Sequence, residues 1–346
     1  MADNSQETAE LNRKLILLRE LTNSEQQPNF NVIRDNLMDL DFMKMNIKFF
    51  GYELARTMAV ALPLPPTTVA EMRRIPWKAS TQADLESNWA RHWMRELGLG
   101  FIYHRKLWEI AFFLQNLYSY GMMLPGKKGL GFGCGEEPMP SYLANLGVDV
   151  TITDLKPDAR EATGWAETGQ HTTNLERAWK SHLVTFDKFK EHARLAYVDM
   201  NVIPSDLRGF DFCWSICALE HLGTIKKGLD FIENSMETLR PGGIAIHTTE
   251  FNFGSDEETI DNWPSVYFLK KHFVSLADAL RTKGYIVPTL DFDLGTGVLD
   301  RFIDMPPYMH QVSPSLQKLW PDQLHLKLSS DGIASTCFGM VIQKPL

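Results

Sequence analysis

Apolar residues follow a helical spacing through the first third of the chain. This spacing of three to four residues recurs at Leu11, Leu15, Leu18 and Leu21, and again at Ile33, Leu37, Leu40 and Met43. It predicts amphipathic helices within residues 1–28 and 30–62, and a further helix is expected from about 103 to 120. We therefore expect residues 1–124 to form a helical N-terminal extension, or cap.

The pattern changes near residue 125, where short apolar runs begin to alternate with amphipathic stretches. Strands are predicted near 129–133, 148–153, 195–198, 210–215 and 243–249, with a final pair near 285–292 and 335–343. Helices are predicted near 138–146, 226–239 and 267–283. Repeated βα units of this kind favour a doubly wound α/β domain over 125–346, with a mostly parallel, seven-stranded sheet.

Two connections in this domain are too long to be simple turns, and they cover 155–193 and 293–334. Loops of this length in a compact domain usually carry function. In an open α/β sheet, ligands bind at the carboxyl ends of the strands. We therefore interpret both segments as insertions beside a binding site.

Charge and composition narrow the classes of partner. The 346 residues include 35 Lys and Arg against 43 Asp and Glu, a net charge of -8, which argues against nucleic acid as a partner. The most apolar windows, 57–70 and 108–124, are interrupted by prolines or polar residues, so no membrane span is expected. The polar start has no apolar leader, so we expect a cytoplasmic protein.

The four cysteines suit a reducing compartment better than a disulfide framework. Cys213 and Cys217 could suggest a metal pair, but no second pair completes a zinc site. We interpret them as small core residues and expect no metal site.

A glycine-dense turn stands between the first predicted strand of the domain and the helix that follows. Residues 128–138 read Lys-Gly-Leu-Gly-Phe-Gly-Cys-Gly-Glu-Glu-Pro, and glycines let the backbone approach a ligand closely. A dinucleotide fingerprint needs a third glycine, where this chain has Glu136 or Pro138. An acidic side chain here would also repel a pyrophosphate. A cofactor without phosphates fits the turn better.

Two carboxylates follow the next strands of the pattern. Asp154 ends the second strand, where a carboxylate can accept hydrogen bonds from ribose hydroxyls; the alternative is a helix N-cap. Asp199 and Met200 close the third strand, where they could contact an adenine, although Asp199 alone could be a turn residue.

Five motifs together resemble the class I, Rossmann-like S-adenosylmethionine-dependent methyltransferases. They are Gly-Phe-Gly-Cys-Gly at 131–135, Val-Thr-Ile-Thr-Asp at 150–154, Val-Asp-Met-Asn at 198–201, Phe-Asp-Phe-Cys-Trp-Ser at 210–215 with Leu-Glu-His-Leu at 219–222, and Leu-Arg-Pro-Gly-Gly at 239–243. Their order and spacing match over about 125–345. The resemblance implies that 125–346 is a methyltransferase domain that binds S-adenosyl-L-methionine.

The resemblance also implies a set of cofactor-binding residues. Gly133 and Gly135 would face the methionine part, Asp154 the ribose, and Ser215 the carboxyl edge near the sulfonium. The full set comprises Gly131, Phe132, Gly133, Cys134, Gly135, Glu137, Asp154, Leu155, Asp199, Met200, Ser215 and Ile216.

One departure from the family pattern concerns the cofactor's amino group. The family usually has an acidic residue where this chain has Gly131, and Glu137 replaces the third glycine of the motif. The amino group must then find another partner. Glu136 and Glu137 are the candidates.

Three further motifs resemble a bacterial subgroup associated with polysaccharide and glycan modification. They are Gly-Glu-Glu-Pro at 135–138, His-Thr-Thr-Glu-Phe-Asn at 247–252 and Asp-Met-Pro-Pro-Tyr at 304–308. The subgroup implies carbohydrate modification as the activity.

A base beside the fourth strand would help a hydroxyl acceptor. His221 follows that strand, and histidine ordinarily titrates near neutrality; the alternative is that His221 only opens the next helix. Alternation along the fifth strand makes His247 a hydrogen-bonded core residue. The candidate acceptor-binding residues are Glu220, Glu250, Asn252, Arg301 and Tyr308.

The late insertion gathers acidic, basic and aromatic side chains that could bind a polyhydroxylated acceptor or, with Glu250, a divalent metal. They are Asp300, Arg301, Asp304, Tyr308, His310 and His325. For any single one of these residues, we expect a position in a solvated loop.

The leading hypothesis is an O-methyltransferase for a hydroxyl of a sugar, glycan or small metabolite. The alternatives are a protein or peptide methyltransferase that docks its partner on the helical extension, and a catalytically silent cofactor-binding module. The acceptor, the methylated atom and any homo-oligomer stay open at this point.

Overall fold

The computed structural model describes residues 11–16, 21–63, 69–156, 172–308, 311–319 and 323–346. Leu18, His310 and the stretch 157–171 of the first insertion lie outside the described residues. The described part contains a helical segment at 11–16 and helices α1 Phe30–Ala61, α2 Gln82–Glu86, α3 Asn88–Glu96, α4 Arg105–Ser119, α5 Met139–Asn145, α6 Leu175–Ala178, α7 Phe186–His192, α8 Ile225–Ser235, α9 Lys270–Thr282 and α10 Pro314–Leu319.

The strands of the described residues are β1 Trp77–Ala79, β2 Tyr103–His104, β3 Lys128–Phe132, β4 Asp149–Asp154, β5 Ala193–Tyr197, β6 Phe210–Ile216, β7 Leu239–Asn252, β8 Leu290–Asp291, β9 Ile303–Asp304, β10 Leu324–His325, β11 Lys327–Ser330 and β12 Ile333–Gln343. Short 3₁₀ turns cover Leu219–His221, Met236–Thr238 and Leu299–Arg301. None of the helices in the described ranges has the length and apolar character needed to cross a bilayer.

The main sheet runs in the order β5-β4-β3-β6-β7-β12-β1-β8. Strands β3 to β7 pair in parallel, and β12 pairs antiparallel with β7. The strand order reverses at β3, because β4 lies on one side of it and β6 on the other. Such a reversal is the switch point at which open α/β sheets bind ligands. The predicted doubly wound α/β fold is confirmed.

The predicted number of strands was wrong, since the main sheet has ten strands within the described residues. Only Leu290–Asp291 and an isolated bridge between Ile286 and Gln343 form where 285–292 was predicted. Strand β1, from the segment predicted to be helical, lies between β12 and β8. The fully buried Trp77 anchors it, and the Trp77 indole Nε1 donates to the Val341 carbonyl at 2.7 Å.

The helix predicted from 103 begins two residues later, at Arg105. Tyr103 and His104 form the short strand β2, which pairs in parallel with β10. His104 Nδ1 accepts a hydrogen bond from the Lys106 amide at 3.0 Å and caps the helix. The cap fixes the first turn of α4, which carries Arg105 and Lys106.

Helices cover both faces of the parallel sheet, as such sheets require. On one face, Phe113 of α4 packs against Trp214 of β6 with ring centroids 5.4 Å apart. On the other face, Phe231 of α8 packs edge-on against Phe132 of β3 at 5.2 Å. The sheet is therefore buried, and its carboxyl edge is where polar side chains collect.

Contacts divide the chain into two compact units. The smaller comprises Met1–Tyr52 and Met305–Pro321, and the larger comprises Glu53–Asp304 and Asp322–Leu346. Within the smaller unit, the Lys48 ammonium donates to the carbonyls of Met305 at 2.9 Å and Pro307 at 2.8 Å. The late insertion thus contributes residues to both units.

Candidate functional site

The glycine-rich turn follows β3 at the switch point of the sheet. Gly133 and Gly135 adopt φ values of +59° and +51°, a backbone conformation that residues other than glycine rarely adopt. A Cβ on Gly133 would lie 2.9 Å from the Ala218 Cβ and 3.4 Å from the Met200 sulfur. The turn, Met200 and the end of β6 therefore meet, as the sequence motifs imply.

The Asp154 carboxylate ties this turn to its surroundings. It accepts hydrogen bonds from the amides of Gly135 at 3.3 Å, Leu155 at 2.9 Å and Thr172 at 3.1 Å. A carboxylate offers roughly four acceptor positions. Asp154 thus shapes the turn as well as ending β4, and a ribose hydroxyl would share the carboxylate with these amides.

Asp199 and Met200, both expected to contact an adenine, lie in different settings. The exposed Asp199 carboxylate accepts from the Asn201 amide at 2.8 Å, as in a turn. Met200 is buried, with its sulfur near the Gly133 turn. The methionine therefore lies beside the turn in this structure, while the Asp199 side chain closes its own loop.

Ser215 and His247 form a buried hydrogen-bonded pair. Ser215 Oγ lies 2.8 Å from His247 Nδ1, and Ser235 Oγ lies 3.1 Å from His247 Nε2. Burial lowers the pKa of His247 to about 3, so the ring is neutral. The predicted core role of His247 is confirmed. The Ser215 side chain is used in this pair, and neighbouring Ile216 is buried and pairs with Thr248 in the sheet.

Gly131 cannot carry the acidic side chain that the resembled family usually has there. A Cβ at Gly131 would collide with the Cys134 sulfur and the Trp214 indole. The close packing of these two side chains therefore explains why glycine stands at this position.

Glu136 and Glu137, the two candidates to replace that acid, differ sharply in their surroundings. Glu136 is paired with Arg177, whose Nε lies 2.7 Å from Glu136 Oε1. Glu136 Oε2 also lies 3.9 Å from Lys180 Nζ. Glu137 has a buried oxygen, Oε2, without a hydrogen-bond partner among the described residues. Burial raises the pKa of Glu137 to about 8, although Lys106 opposes the rise. Unlike Glu136, Glu137 forms no ion pair among the described residues, although the Lys106 and Trp214 side chains both oppose the rise of its pKa.

A charged cluster lies at the carboxyl edge of β6 and β7. It consists of Arg105, Lys106, Glu109, Glu220 and Glu250. Arg105 forms an ion pair with Glu250, and Lys106 lies 3.4 Å from Glu109. Burial works against the charge on Glu109, but Lys106 and Arg105 hold its pKa below the ordinary value. Glu109 is therefore held in its charged form, and two of the three carboxylates of the cluster are paired with cations.

Hydroxyl groups complete the hydrogen bonding of this cluster. Glu109 accepts from the Thr248 hydroxyl, Glu220 accepts from the Thr249 hydroxyl at 3.0 Å, and Glu250 accepts from the Ser335 hydroxyl at 2.9 Å. The predicted residues Glu220 and Glu250 thus come together. Arg105, Lys106 and Glu109 were missed, although Glu109 interrupts an apolar run and so carried a signal in the sequence.

Two cysteines distant in sequence meet beside this cluster. Cys217 Sγ lies 3.6 Å from Cys337 Sγ, whereas Cys213 Sγ lies 3.8 Å from the Ser235 carbonyl. Glu109, Cys217 and Cys337 form one group that could hold a metal ion, and Cys217, Glu220 and Glu250 form another. Arg105 pairs with Glu250 and Lys106 lies beside Glu109, so two of the three carboxylates of the cluster already have a cation.

His221 ends the 3₁₀ turn that follows β6. Its Nδ1 lies 2.9 Å from the Pro264 carbonyl oxygen and 3.0 Å from Ser265 Oγ. A hydrogen bond to a carbonyl requires the proton on Nδ1, which makes Nε2 the basic nitrogen in the neutral ring. This tautomer suits the predicted role of a base.

The other candidate acceptor residues lie in different settings. The Asn252 amide donates to the Glu258 carbonyl at 3.0 Å and accepts from the Gly254 amide at 2.9 Å, so it shapes the following turn. Arg301 is exposed on a 3₁₀ turn of the larger unit. Tyr308 belongs to the smaller unit, where its ring lies 5.0 Å from Lys48 Nζ.

Two acidic members of the late insertion are buried and paired. Asp300 accepts from the Gln82 amide at 2.8 Å and lies 3.9 Å from Lys327 Nζ. Asp304 Oδ2 lies 2.7 Å from His325 Nδ1. For these two residues, the expectation of a solvated loop was wrong.

Comparison with known proteins gives fold-level likenesses only. No family model and no curated protein matches the sequence. The [4+2]-cyclase SpnF is 15% identical, with 68% of this chain and 82% of that chain covered and a TM-score of 0.40. An S-adenosylmethionine-dependent methyltransferase from Mesorhizobium loti is 12% identical over 66% of this chain and 95% of its own, with a TM-score of 0.36. One from Aquifex aeolicus is 12% identical over 66% and 86%, with a TM-score of 0.34. Similarity at this level does not indicate an activity.

Proposed function

We propose that the chain is a methyltransferase that binds S-adenosylmethionine at the carboxyl edge of β3, β4 and β5. The single observation that carries the proposal is Glu137, whose buried Oε2 has no hydrogen-bond partner among the described residues. A buried carboxyl oxygen without a hydrogen-bond partner costs free energy that a bound ammonium would recover. S-adenosylmethionine carries such an ammonium and no phosphate.

The residues around the turn fit the remaining parts of this cofactor. The open backbone at Gly133 and Gly135 would accommodate the methionine part, and Asp154 would accept hydrogen bonds from the ribose. Met200 would supply apolar contact to the adenine. When bound, the cofactor supplies an electrophilic methyl group on a sulfonium. In this proposal 125–346 holds the cofactor.

The acceptor would bind at the charged cluster, beside the end of β6. Carboxylates such as Glu220 and Glu250 accept hydrogen bonds from hydroxyls, and Arg105 donates them. This combination favours a polyhydroxylated acceptor, such as a sugar, a glycan or a small metabolite. His221 would take the proton that the acceptor hydroxyl loses, through Nε2. The positioning of the acceptor oxygen would supply much of the rate.

Calorimetric titration tests the cofactor assignment. Glu137→Gln should weaken S-adenosylmethionine binding by roughly 10- to 100-fold, because a hydrogen bond between charged groups contributes about 1.5–3 kcal/mol. The same variant should bind methylthioadenosine, which lacks the amino acid part, with unchanged affinity. Glu136→Gln is the matched control and should bind both ligands normally, since Glu136 is paired with Arg177. No affinity of the unaltered protein for either ligand would refute the proposal.

A turnover assay tests the acceptor class. The release of S-adenosylhomocysteine is followed with a panel of sugars, glycans, small hydroxylated metabolites and peptides. Turnover with hydroxylated acceptors supports O-methylation. Turnover with peptides alone would contradict it in favour of a peptide methyltransferase, and binding without any turnover would indicate a silent cofactor-binding module.

A further inference from the structure

Helix α1 carries an unusual amount of exposed apolar surface. It spans 32 residues, which corresponds to about 48 Å at 1.5 Å per residue. Its exposed large apolar side chains are Phe30, Leu37, Met38, Leu40, Phe42, Met43, Ile47, Phe49, Phe50, Leu54 and Val60. Contiguous exposed apolar surface on a soluble chain usually marks an interaction site.

Part of this surface forms a regular stripe, which we call the α1 seam: Leu40, Met43, Ile47, Phe50 and Leu54. The spacing alternates between three and four residues, and each side chain is between 43% and 71% exposed. Apolar residues that repeat every 3.5 residues on average are the pattern by which two helices wind around each other. The stripe is long enough for two heptads.

The opposite face of α1 is already buried. Met45, Lys48 and Tyr52 lie away from the seam in the same heptad frame, and each is at most 7% exposed. The Lys48 bonds to the Met305 and Pro307 carbonyls hold this face against the late insertion. The helix is therefore anchored on one side while the seam points the other way.

Charges beside the seam identify what would cover it. In the heptad frame with Leu40 and Ile47 at a positions, Asp39 occupies a g position and Lys44 the following e position. In a parallel pair of such helices, Asp39 of one copy faces Lys44 of the other, and the second match follows from two-fold symmetry. An antiparallel pair would lose this match. Lys44 now lies 3.3 Å from Asp41 on its own helix, and an exposed pair of this kind is readily exchanged.

A lipid surface fits the helix less well. The charged residues of α1 are four basic and four acidic: Arg34, Lys44, Lys48, Arg56, Asp35, Asp39, Asp41 and Glu53. Helices that lie on anionic membranes are usually rich in lysine and arginine. With no net positive charge, α1 lacks that attraction.

We infer that a second copy of this chain covers the α1 seam, through a parallel coiled coil between the two α1 helices. The inference does not depend on the proposed enzymatic function.

Sedimentation velocity and light scattering of the full chain test this interface. We expect a dimer for the unaltered protein and a monomer for Ile47→Glu with Phe50→Glu, with the dissociation constant raised at least about 100-fold because charges would be buried without partners. Phe42→Glu is the matched control, since Phe42 is 55% exposed on the same helix but lies off the seam; it should remain a dimer. Far-ultraviolet circular dichroism and thermal melts check that each variant is folded.

A second pair of measurements does not depend on buried charges. Asp39→Lys should weaken the dimer several-fold, and the added change Lys44→Asp should restore it. Met43→Cys, at a d position, should crosslink between copies under mild oxidation, whereas Phe42→Cys should not. A monomeric unaltered protein, a dimer that the seam variants leave intact, or seam-dependent binding to anionic vesicles without dimerisation would overturn the inference.

Discussion

Glu137 should release a proton when the cofactor binds. Its pKa of about 8 means that the carboxyl group is almost wholly protonated at pH 6.5, while an α-amino group is mostly protonated there. An ammonium at roughly 4 Å from the Glu137 carboxylate would stabilise its charged form by about 4 kcal/mol at an effective dielectric constant of about 20. This energy corresponds to a pKa lowered by about three units. The pKa of Glu137 would then fall to about 5, and about one proton would leave for each ligand bound.

The assay is calorimetry at pH 6.5 in buffers with different ionisation enthalpies. The slope of the observed binding enthalpy against the buffer's ionisation enthalpy gives the number of protons released. Because binding releases a proton, affinity should rise with pH, by up to about tenfold per unit between about pH 5 and 8. Glu137→Gln should abolish both effects, and methylthioadenosine should show neither with the unaltered protein. A slope near zero for the unaltered protein, or a slope that Glu137→Gln leaves unchanged, would refute the assignment of Glu137 to the amino group.

Three further changes test other parts of the molecule. Gly131→Ala should lower the free energy of unfolding, measured by denaturant titration, by about 1–3 kcal/mol, because the added Cβ would collide with neighbouring side chains. Gly100→Ala is the control. A Cβ at Gly100 meets nothing within 4 Å, so this change should alter the free energy of unfolding little. Acid should destabilise the fold through His247. In the unfolded chain His247 gains a proton below about pH 6.5, whereas in the folded chain it stays neutral down to about pH 3. The free energy of unfolding should therefore fall by up to about 1.4 kcal/mol per pH unit as the pH is lowered through this range, and it should fall less steeply in His247→Gln. His221→Ala should lower kcat for a hydroxyl acceptor by roughly 10²- to 10⁴-fold while leaving cofactor affinity unchanged; an unaltered kcat would remove His221 from the role of base.

The parallel core of the fold could be predicted because its signals are local. The glycines at 131–135 mark a turn between a strand and a helix, and each apolar run is long enough to show its own boundaries. Strand β1 could not be predicted this way. Three residues show no clear alternation, and the contact that anchors Trp77 is made with Val341, far along the chain.

The site shows the same limit. The sequence predicts Glu136 and Glu137 equally as partners for an amino group, because two adjacent acidic residues cannot be told apart from a motif. What separates them is Arg177, which reaches Glu136 from a later helix. Likewise, Arg105 and Glu250 are distant in sequence and become partners only through the packing of α4 on the sheet. Long-range charge pairing leaves no periodic trace.

The position of β1 between β12 and β8 has a consequence for how the chain reaches its fold. As the protein is synthesised, Trp77 leaves the ribosome long before Val341 does, so its strand must wait for the last strand of the sheet. Closing so long a loop is slow, and an edge left open during that time favours aggregation. A fragment that begins at the glycine-rich turn would lack β1 permanently, with β12 exposed along the side that β1 normally covers. Efforts to isolate the cofactor-binding half should therefore keep the segment around Trp77, or supply it as a separate peptide.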